Sequence, residues 1–381
     1  MKGHVKKRGS TWSFVIDVGR DPVTGKRKQK WFSGYRTKRE AEKAMAEKLA
    51  TVIKGTYIEP KRMSFSELLN EWLEHHVKHN TSPRTYETYR YLASVHIAPR
   101  IGNIQIVELA PYHLQRMYSN LLDSEQKNGK KLSSTTVHHI HRICYSALKW
   151  GVQMRMLQEN VAESVKTPKR NKQEMKTWTK DEVATFLNVA KEDRLYPLFY
   201  VAIGTGLRRG ELLGLKWEDV DFENGVLSIR RTVQRTTEGL IVKEQTKTDS
   251  SRRTVNISPA TVEVLRTHKK RQTQELLRIG RRTSFVFANS VGNVLEPRKV
   301  NEVFERLTKK AGLPRIRFHD LRHTHATLLL QQGIHPKIVS ERLGHSNVSM
   351  TLDLYSHVIP SMQREAAETF DRIVDQDTLV N

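Results

Sequence analysis

Residues 319–333 read HDLRHTHATLLLQQG, and LGH at 343–345 and a tyrosine at position 355 follow them. The apolar spacing of the first stretch predicts a helix on which His319 and Arg322, three residues apart, share a face. Arginine stays charged at any working pH, and its planar donors match the geometry of phosphate oxygens. The free backbone N–H groups and positive dipole end of a helix start also favour an anion. The stretch therefore predicts a phosphate-binding site.

A second arginine motif, TGLRRGELLGLKWEDVD, occupies residues 205–221. Arg208 stands three residues before Glu211, so we expect both to lie on one helix face. Arg209 is a rival for phosphate binding, but only Arg208 has this spacing to the glutamate. The alternative is a surface Arg–Glu pair on a solvated helix, which contributes little to stability.

Tyr355 is a candidate nucleophile for this phosphate. Its phenolic oxygen can form a covalent phosphotyrosyl intermediate that keeps the free energy of the cleaved bond, so a second strand end can displace it without ATP. We expect Gly344 to end a helix that begins near Pro336. His345 then lies just beyond that C-terminus, within reach of a phosphate oxygen. The alternative for Tyr355 is an ordinary core or surface residue.

Lys247 is a candidate general acid, if the bound phosphate is a phosphodiester that the protein cleaves. TKTDSS, residues 246–251, is interpreted as a turn between the strands LIVKEQ and RRTVNIS, with Lys247 at its tip. Cleavage of a phosphodiester expels a hydroxyl oxygen that needs a proton, and nearby arginines lower the pKa of a lysine toward a useful range. Lys243 is a competitor that we expect within the strand, and the alternative for Lys247 is a solvated side chain.

The histidines after position 318 also raise the alternative of a metal site. His319 and His323 are spaced i, i+4, as in zinc-binding helices, but no glutamate follows His319 as in HExxH. Cys144 is the only cysteine, and no carboxylate cluster suits a two-metal nuclease. We therefore expect no metal and no cofactor, and we assign His323 and His325 to packing or helix contacts.

These motifs together resemble the catalytic set of the tyrosine recombinases, the phage integrase family, most specifically over residues 205–221 and 318–357. The resemblance implies a metal- and ATP-independent enzyme that cuts and rejoins DNA through a covalent 3′-phosphotyrosyl intermediate. It makes His319 a hydrogen-bonding or acid–base partner of the phosphate, and Glu211 a carboxylate that orients nearby basic groups. The catalytic residues that it implies are Arg208, Lys247, His319, Arg322, His345 and Tyr355, with Glu211 in support.

The implied partners are nucleic acid and further copies of the chain. A formal charge of +24 and a pI near 10.0 suit a polyanion. The resemblance implies double-stranded DNA attachment sites, a homotetramer that exchanges strands on DNA through a Holliday junction, and accessory directionality or DNA-bending proteins. It favours the integrase of a phage or integrative element, because the chromosome-dimer resolvases resemble only the later regions of this chain.

The fold class that the sequence predicts is mainly α with small β-sheets (α+β), in three domains. Residues 1–62 hold 17 Lys or Arg against six Asp or Glu, with two strands and a helix after Thr37, and resemble an arm-type DNA-binding domain. Residues 63–168 read as about four helices that begin at a Ser64–Glu67 capping box, and resemble a helical core-binding domain. Residues 175–381 resemble the mixed α/β catalytic domain.

The catalytic domain is expected to begin with a Thr179–Glu182 capping box and to carry a tail helix within MQREAAETFDRIVDQ. An apolar stripe that includes Phe370 suits a contact, either with a neighbouring protomer or with its own domain. No apolar run approaches the roughly 20 residues that span a bilayer, and the basic N-terminus lacks the apolar segment of a signal peptide. We expect a soluble protein of the bacterial cytoplasm, associated with the nucleoid and not with a membrane.

Two other functions remain open on the sequence alone. A type IB topoisomerase uses related chemistry, but it relaxes DNA without joining two defined sites. A non-catalytic architectural DNA-binding protein on the same fold would not need the six motif residues that the sequence retains.

Overall fold

The computed structural model describes residues 3–20, 24–54, 57, 62–125, 129, 131–169, 175–244, 253–345, 347–355 and 370–371. It divides into two compact units, Met1–Asn171 and Lys172–Asn381. Helices predominate and the sheets are small, which confirms the predicted fold class. Within the described parts of the chain, we find no helix both long and apolar enough to cross a membrane.

The N-terminal element is a three-stranded antiparallel sheet with one helix. Its strands are β1 (His4–Arg8), β2 (Thr11–Arg20) and β3 (Arg27–Tyr35), and α1 (Lys38–Ile53) follows. Strands β2 and β3 and the helix were predicted, whereas β1 was not. A capping box between Thr37 and Glu40 starts α1. Phe14 and Ile16 of β2 are fully buried with Ala41 of α1, and this small core joins the sheet to the helix.

The next region is all-helical, as predicted, and begins at the Ser64–Glu67 capping box. Its helices pack around one continuous apolar core that includes Phe65, Leu114 and Ile140. Two single π-helical turns, Leu73–Val77 and Ala93–Ile97, interrupt the first two long helical runs, and a 3₁₀ turn covers Val161–Ser164. The α-helices of the region are α2 (Phe65–Trp72), α3 (Lys78–Asn80), α4 (Pro83–Leu92), α5 (Ala98–Ile101), α6 (Pro111–Asp123) and α7 (Ser134–Gln153).

The second unit surrounds an aromatic core in which Trp178, Phe186, Phe199 and Phe304 are nearly or fully buried. The predicted capping box of Thr179 starts its first helix. The helices are α8 (Lys180–Ala190), α9 (Tyr196–Thr205), α10 (Arg209–Gly214), α11 (Pro259–Leu277), α12 (Pro297–Lys310), α13 (Asp320–Gln331), α14 (Pro336–Leu343) and α15 (Val348–Tyr355), with a 3₁₀ turn at Trp217–Asp219. The strands are β4 (Val220–Asp221), β5 (Val226–Ile229), β6 (Arg231–Thr236), β7 (Gly239–Glu244) and β8 (Arg253–Asn256).

The strand cluster differs from the sequence prediction in its pairing. The sequence pattern of GVLSIRRTVQR, residues 225–235, predicts one strand, but the chain leaves one sheet at Ile229 and enters another at Arg231. The buried carboxylate of Asp219 anchors this break, since it accepts a 2.8 Å hydrogen bond from Arg231. The short connection between β6 and β7 lets them pair as a hairpin, and β8 instead pairs with β5. Strands β7 and β8 are therefore not paired neighbours, and the predicted turn at 246–251 lies outside the described residues.

Candidate active site

Arg322 lies between the C-terminal ends of two helices. Its Nη1 donates to the carbonyl of Gly206, after α9, at 2.9 Å, and its Nη2 donates to the carbonyl of Leu343, at the end of α14, at 2.7 Å. The residue is 3% exposed. Helix C-termini carry partial negative charge, so these carbonyls stabilise a buried cation without neutralising it as a carboxylate does.

Glycines permit this close approach of helix ends. Gly206 and Gly344 end α9 and α14 in the left-handed conformation, with φ of 65° and 68°. A Cβ atom on Gly206 would lie 2.6 Å from the Leu343 side chain, and one on Gly344 would lie 2.9 Å from the guanidinium carbon of Arg253. Any other residue at either position would be strained in φ and would collide with a residue of the site.

Arg208 also contacts the turn at Gly344. The sequence predicted that Arg208 lies on a helix, and this prediction was wrong. Arg208 is the extended residue that precedes α10, because its backbone N–H donates to the Glu211 carboxylate at 3.0 Å and so caps the helix start. Its Nη1 donates to Glu211 at 2.9 Å, and its Nη2 donates to the carbonyl of Gly344 at 3.1 Å. The rival Arg209 donates to Asn301 of α12 at 2.6 Å. Of the two candidate arginines, Arg208, which has the predicted spacing to Glu211, is the one whose side chain reaches the turn before His345.

Glu211 is a buried carboxylate shared by two arginines. Burial by itself raises its pKa, but hydrogen bonds and charge from Arg253, followed by the charge of Arg208, hold the pKa at about 2. Sequence reasoning missed Arg253, which donates to both carboxylate oxygens, at 3.2 and 2.8 Å. The available signal was its position in the basic run RRTVNIS, but the pairing of β8 with β5 that brings it here is non-local.

His319 and His345 lie beside the arginines. His345 follows Gly344, as predicted, whereas His319 immediately precedes α13 and is its N-cap, although the prediction placed it on the helix. Burial, together with the charges of Arg322 and Arg208, lowers the pKa of His345 to about 4. Burial and the charge of Arg322 also lower the pKa of His319. Both imidazoles are therefore neutral near pH 7, and each can donate or accept a hydrogen bond.

The other two histidines of α13, His323 and His325, are buried. The rings of His323 and His319 meet edge to face at 5.2 Å, and His325 Nε2 accepts a 3.1 Å hydrogen bond from Arg342 Nε. Burial lowers the pKa of His323 and that of His325 to about 4. In the described part of the chain, no three His, Cys, Asp or Glu side chains are grouped to hold a metal ion.

Two predicted site residues are not placed in atomic detail. Lys247 lies outside the described residues, and the competing Lys243 is in β7, as expected. The backbone of Tyr355 forms the end of α15. One turn earlier on α15, the buried Thr351 joins His345 through a 2.8 Å hydrogen bond between Oγ1 and Nδ1. The helix of the tyrosine is thus tied directly to the histidine of the site.

Models of three known domains match the chain in succession. Residues 4–52 match an arm DNA-binding domain, residues 64–122 match the N-terminal SAM-like domain of phage integrases, and residues 176–362 match the phage integrase family. A tyrosine recombinase XerC-like protein of Caldanaerobacter subterraneus subsp. tengcongensis is 31% identical over 97% of each chain. The chain belongs to the phage integrase family of tyrosine recombinases. This confirms the family predicted from the motifs and makes the chain an enzyme that cleaves and rejoins DNA.

Other relatives of this recombinase belong to mobile elements. The ICEBs1 integrase of Bacillus subtilis is 26% identical over 97% of this chain and 99% of its own length. A Tn1549 transposon integrase in complex with transposon right-end DNA shares the fold, with a TM-score of 0.68 and 23% identity over 80% of this chain and all of that one. These comparisons support an integrase and favour neither a topoisomerase nor an architectural protein.

Proposed function

We propose that this recombinase is the integrase of a phage or integrative element, which joins two DNA attachment sites by conservative strand exchange. The observation that carries the proposal is the pair Arg208 and Arg322, which converge on the turn at Leu343 and Gly344. Two backbone carbonyls, those of Gly206 and Leu343, hold the Arg322 guanidinium there. Two fixed guanidinium groups suit the charge that develops in phosphoryl transfer.

Each site residue has a separate role in this mechanism. The phenolic oxygen of Tyr355 attacks the scissile phosphorus and releases its proton to solvent, the bond to the 5′ oxygen breaks, and Lys247 gives that oxygen its proton. Arg208 and Arg322 bind the non-bridging oxygens, while the neutral His319 and His345 donate further hydrogen bonds. Glu211 supports Arg208. In the reverse reaction, a 5′ hydroxyl attacks the phosphotyrosine and gives its proton to the lysine, the bond to the tyrosine oxygen breaks, and that oxygen takes a proton from solvent, so no ATP is consumed. These groups supply the charge that a metal would otherwise bring.

The stoichiometry of the exchange follows from its chemistry. Recombination of two duplexes breaks four strands, and each protomer carries one Tyr355, so we assign four protomers to the assembly. The partners are double-stranded attachment DNA and accessory directionality or bending proteins, in the bacterial cytoplasm at the nucleoid. Residues 1–62 act as the arm-binding domain, 63–168 as the core-binding domain and 175–381 as the catalytic domain.

The surface of the N-terminal sheet supports a DNA-binding role for residues 1–62. The guanidinium of Arg8 lies 4.1 Å from the ring centroid of Trp31, which is 44% exposed. Lys6 and Arg8 are exposed on β1, and neither takes part in the core that binds the sheet to α1. A basic surface with an exposed aromatic residue suits contacts to phosphates and bases.

Trapping of covalent adducts tests the function. Duplexes from the junctions of the element that encodes the chain are nicked shortly beyond each candidate phosphate, so that the fragment with the 5′ hydroxyl diffuses away. The assay is run in excess chelator. We expect adducts at one defined phosphate per site and recombination between two such sites. Relaxation of supercoiled DNA without recombination, or adducts only with added metal, would contradict the proposal.

A further inference from the structure

Arg253, the first residue of β8, is bound on three sides within the site. Its Nη1 and Nη2 donate to the two carboxylate oxygens of Glu211, and its Nε donates to the backbone carbonyl of Arg342 at 3.1 Å. The Arg253 side chain is only 9% exposed. Arg342, on α14, donates in turn to the carbonyl of Asn256, at the other end of β8, at 2.9 Å. The side chains of Arg253 and Arg342 thus connect β8 and α14 through two hydrogen bonds.

Glu211 is the point at which Arg253 meets the catalytic set. Each Glu211 oxygen accepts two hydrogen bonds, one from Arg208 and one from Arg253, so the acceptor sites of the carboxylate are fully used. The two cations therefore share one buried negative charge. Without Arg253, that charge would act on Arg208 alone, because a buried carboxylate is strongly destabilised unless a cation compensates it.

We infer that Arg253 is a positioning residue for strand cleavage: by satisfying Glu211 it leaves Arg208 free to bind the scissile phosphate. Through the Arg342 carbonyl it also holds the end of α14, from which His345 follows. The inference rests on the proposed function, which assigns Arg208 to that phosphate. Arg253 itself need not touch the DNA, since its guanidinium is committed to Glu211 and Arg342.

The test is a double-variant cycle between Arg253 and Glu211. Rates of adduct formation are measured on the nicked duplex that the trapping experiment selects, together with affinity for that duplex and thermal unfolding. R253M removes the donors and keeps the length of the side chain, and R253K keeps the charge without the planar fork. E211Q removes the charge that Arg253 satisfies. R230M is the matched control, because Arg230 and Arg253 line one surface cleft, but Arg230 is half exposed and pairs with Asp219.

R253M is expected to slow cleavage by about 100-fold, the order seen when one group that stabilises a transition state is removed. The DNA affinity of R253M is expected to stay within about twofold of that of the unaltered protein, and the same is expected of R230M. The cleavage rate of R253K is expected to lie between those of R253M and the unaltered protein. In the E211Q background, R253M is expected to have no further effect beyond about twofold, because the charge that captures Arg208 is gone.

Independent, multiplicative effects of R253M and E211Q, or normal cleavage by R253M, would overturn the inference. If R253M fails to fold, the same cycle with R253K decides it. Other results would contradict the proposed function: the unaltered protein forms no adduct, or R208K forms adducts as fast as the unaltered protein. If the unaltered protein forms adducts and R208K cleaves slowly, additive effects of R253M and E211Q would remove only the inference.

Discussion

His345 and Thr351 are joined by a 2.8 Å hydrogen bond that links the turn after α14 to α15. Thr351 is fully buried, and the lowered pKa of His345, about 4, keeps the imidazole neutral near pH 7. The hydroxyl therefore fixes the orientation of the ring and, with it, the position of the His345 Nε2. Tyr355 lies one helical turn after Thr351, so this single bond connects the elements of two proposed catalytic residues.

Thr351→Val is expected to impair cleavage while DNA binding is retained. The substitution keeps the shape of the side chain but removes the hydroxyl that orients His345, and the absence of a buried hydrogen bond costs about 1–2 kcal/mol of unfolding free energy. Thr351→Ser keeps the hydroxyl and is the matched control. Adduct rates and urea titrations of both variants are the measurements. Equal cleavage by the Val and Ser variants would show that the bond has no part in catalysis.

Arg322→Lys is expected to reduce cleavage by roughly 100- to 1,000-fold. A lysine keeps the charge but cannot donate to the Gly206 and Leu343 carbonyls and to a phosphate in one plane. One carbonyl then has no partner, which lowers the unfolding free energy by about 1–3 kcal/mol. Single-turnover adduct formation and urea unfolding measure the two effects. Full activity would mean that charge alone, and not the planar geometry, serves at this position.

Local signals predicted much of this structure. The capping boxes at Ser64 and Thr179 were readable because Ser or Thr three residues before Glu satisfies two helix-start N–H groups within one turn. Gly344 was readable as a helix end because glycine adopts the left-handed conformation without strain. The same spacing misled us at Arg208: an Arg-x-x-Glu pair is equally compatible with a helix face and with the helix cap that the structure shows.

Contacts between residues that lie far apart along the chain were not predicted from the sequence. Arg253 reaches Glu211 only because β8 pairs with β5, and strand pairing over such a distance along the chain leaves no local pattern. The break between β5 and β6 depends on the buried Asp219, whose partners are also set by the fold. The π-helical turn at Leu73–Val77 likewise has no signature that distinguishes it from an ordinary helical turn.

Stability is expected to fall as the pH is lowered through the titration of the buried histidines. Burial and the charge of Arg342 lower the pKa of His325 to about 4. Between about pH 6.5 and pH 4, this histidine binds a proton in the unfolded chain but not in the folded one, so the unfolding free energy decreases by up to about 1.4 kcal/mol per pH unit. His325→Gln should remove that part of the slope in urea titrations across this range. An unchanged slope would contradict the assignment.

Removal of residues 1–62 is expected to leave cleavage of a core site intact and to weaken assembly on a full attachment site. The segment carries 17 Lys or Arg against six Asp or Glu and none of the proposed catalytic residues. The dependence of log affinity on log salt should flatten by about one unit for each DNA phosphate that the truncated protein no longer binds. Binding is measured on long attachment DNA from low to high salt. The same slope and affinity with and without the segment would show that it binds something else.

The most direct test of the central claim is to identify the residue that carries DNA in the trapped adduct. The adduct is digested with nuclease and protease, and the peptide that keeps a nucleotide is sequenced by mass spectrometry. We predict a 3′-phosphonucleotide on Tyr355, and no adduct from Tyr355→Phe although its DNA affinity stays within about twofold. A nucleotide on any other residue, or an adduct formed by the Phe variant, would contradict the account.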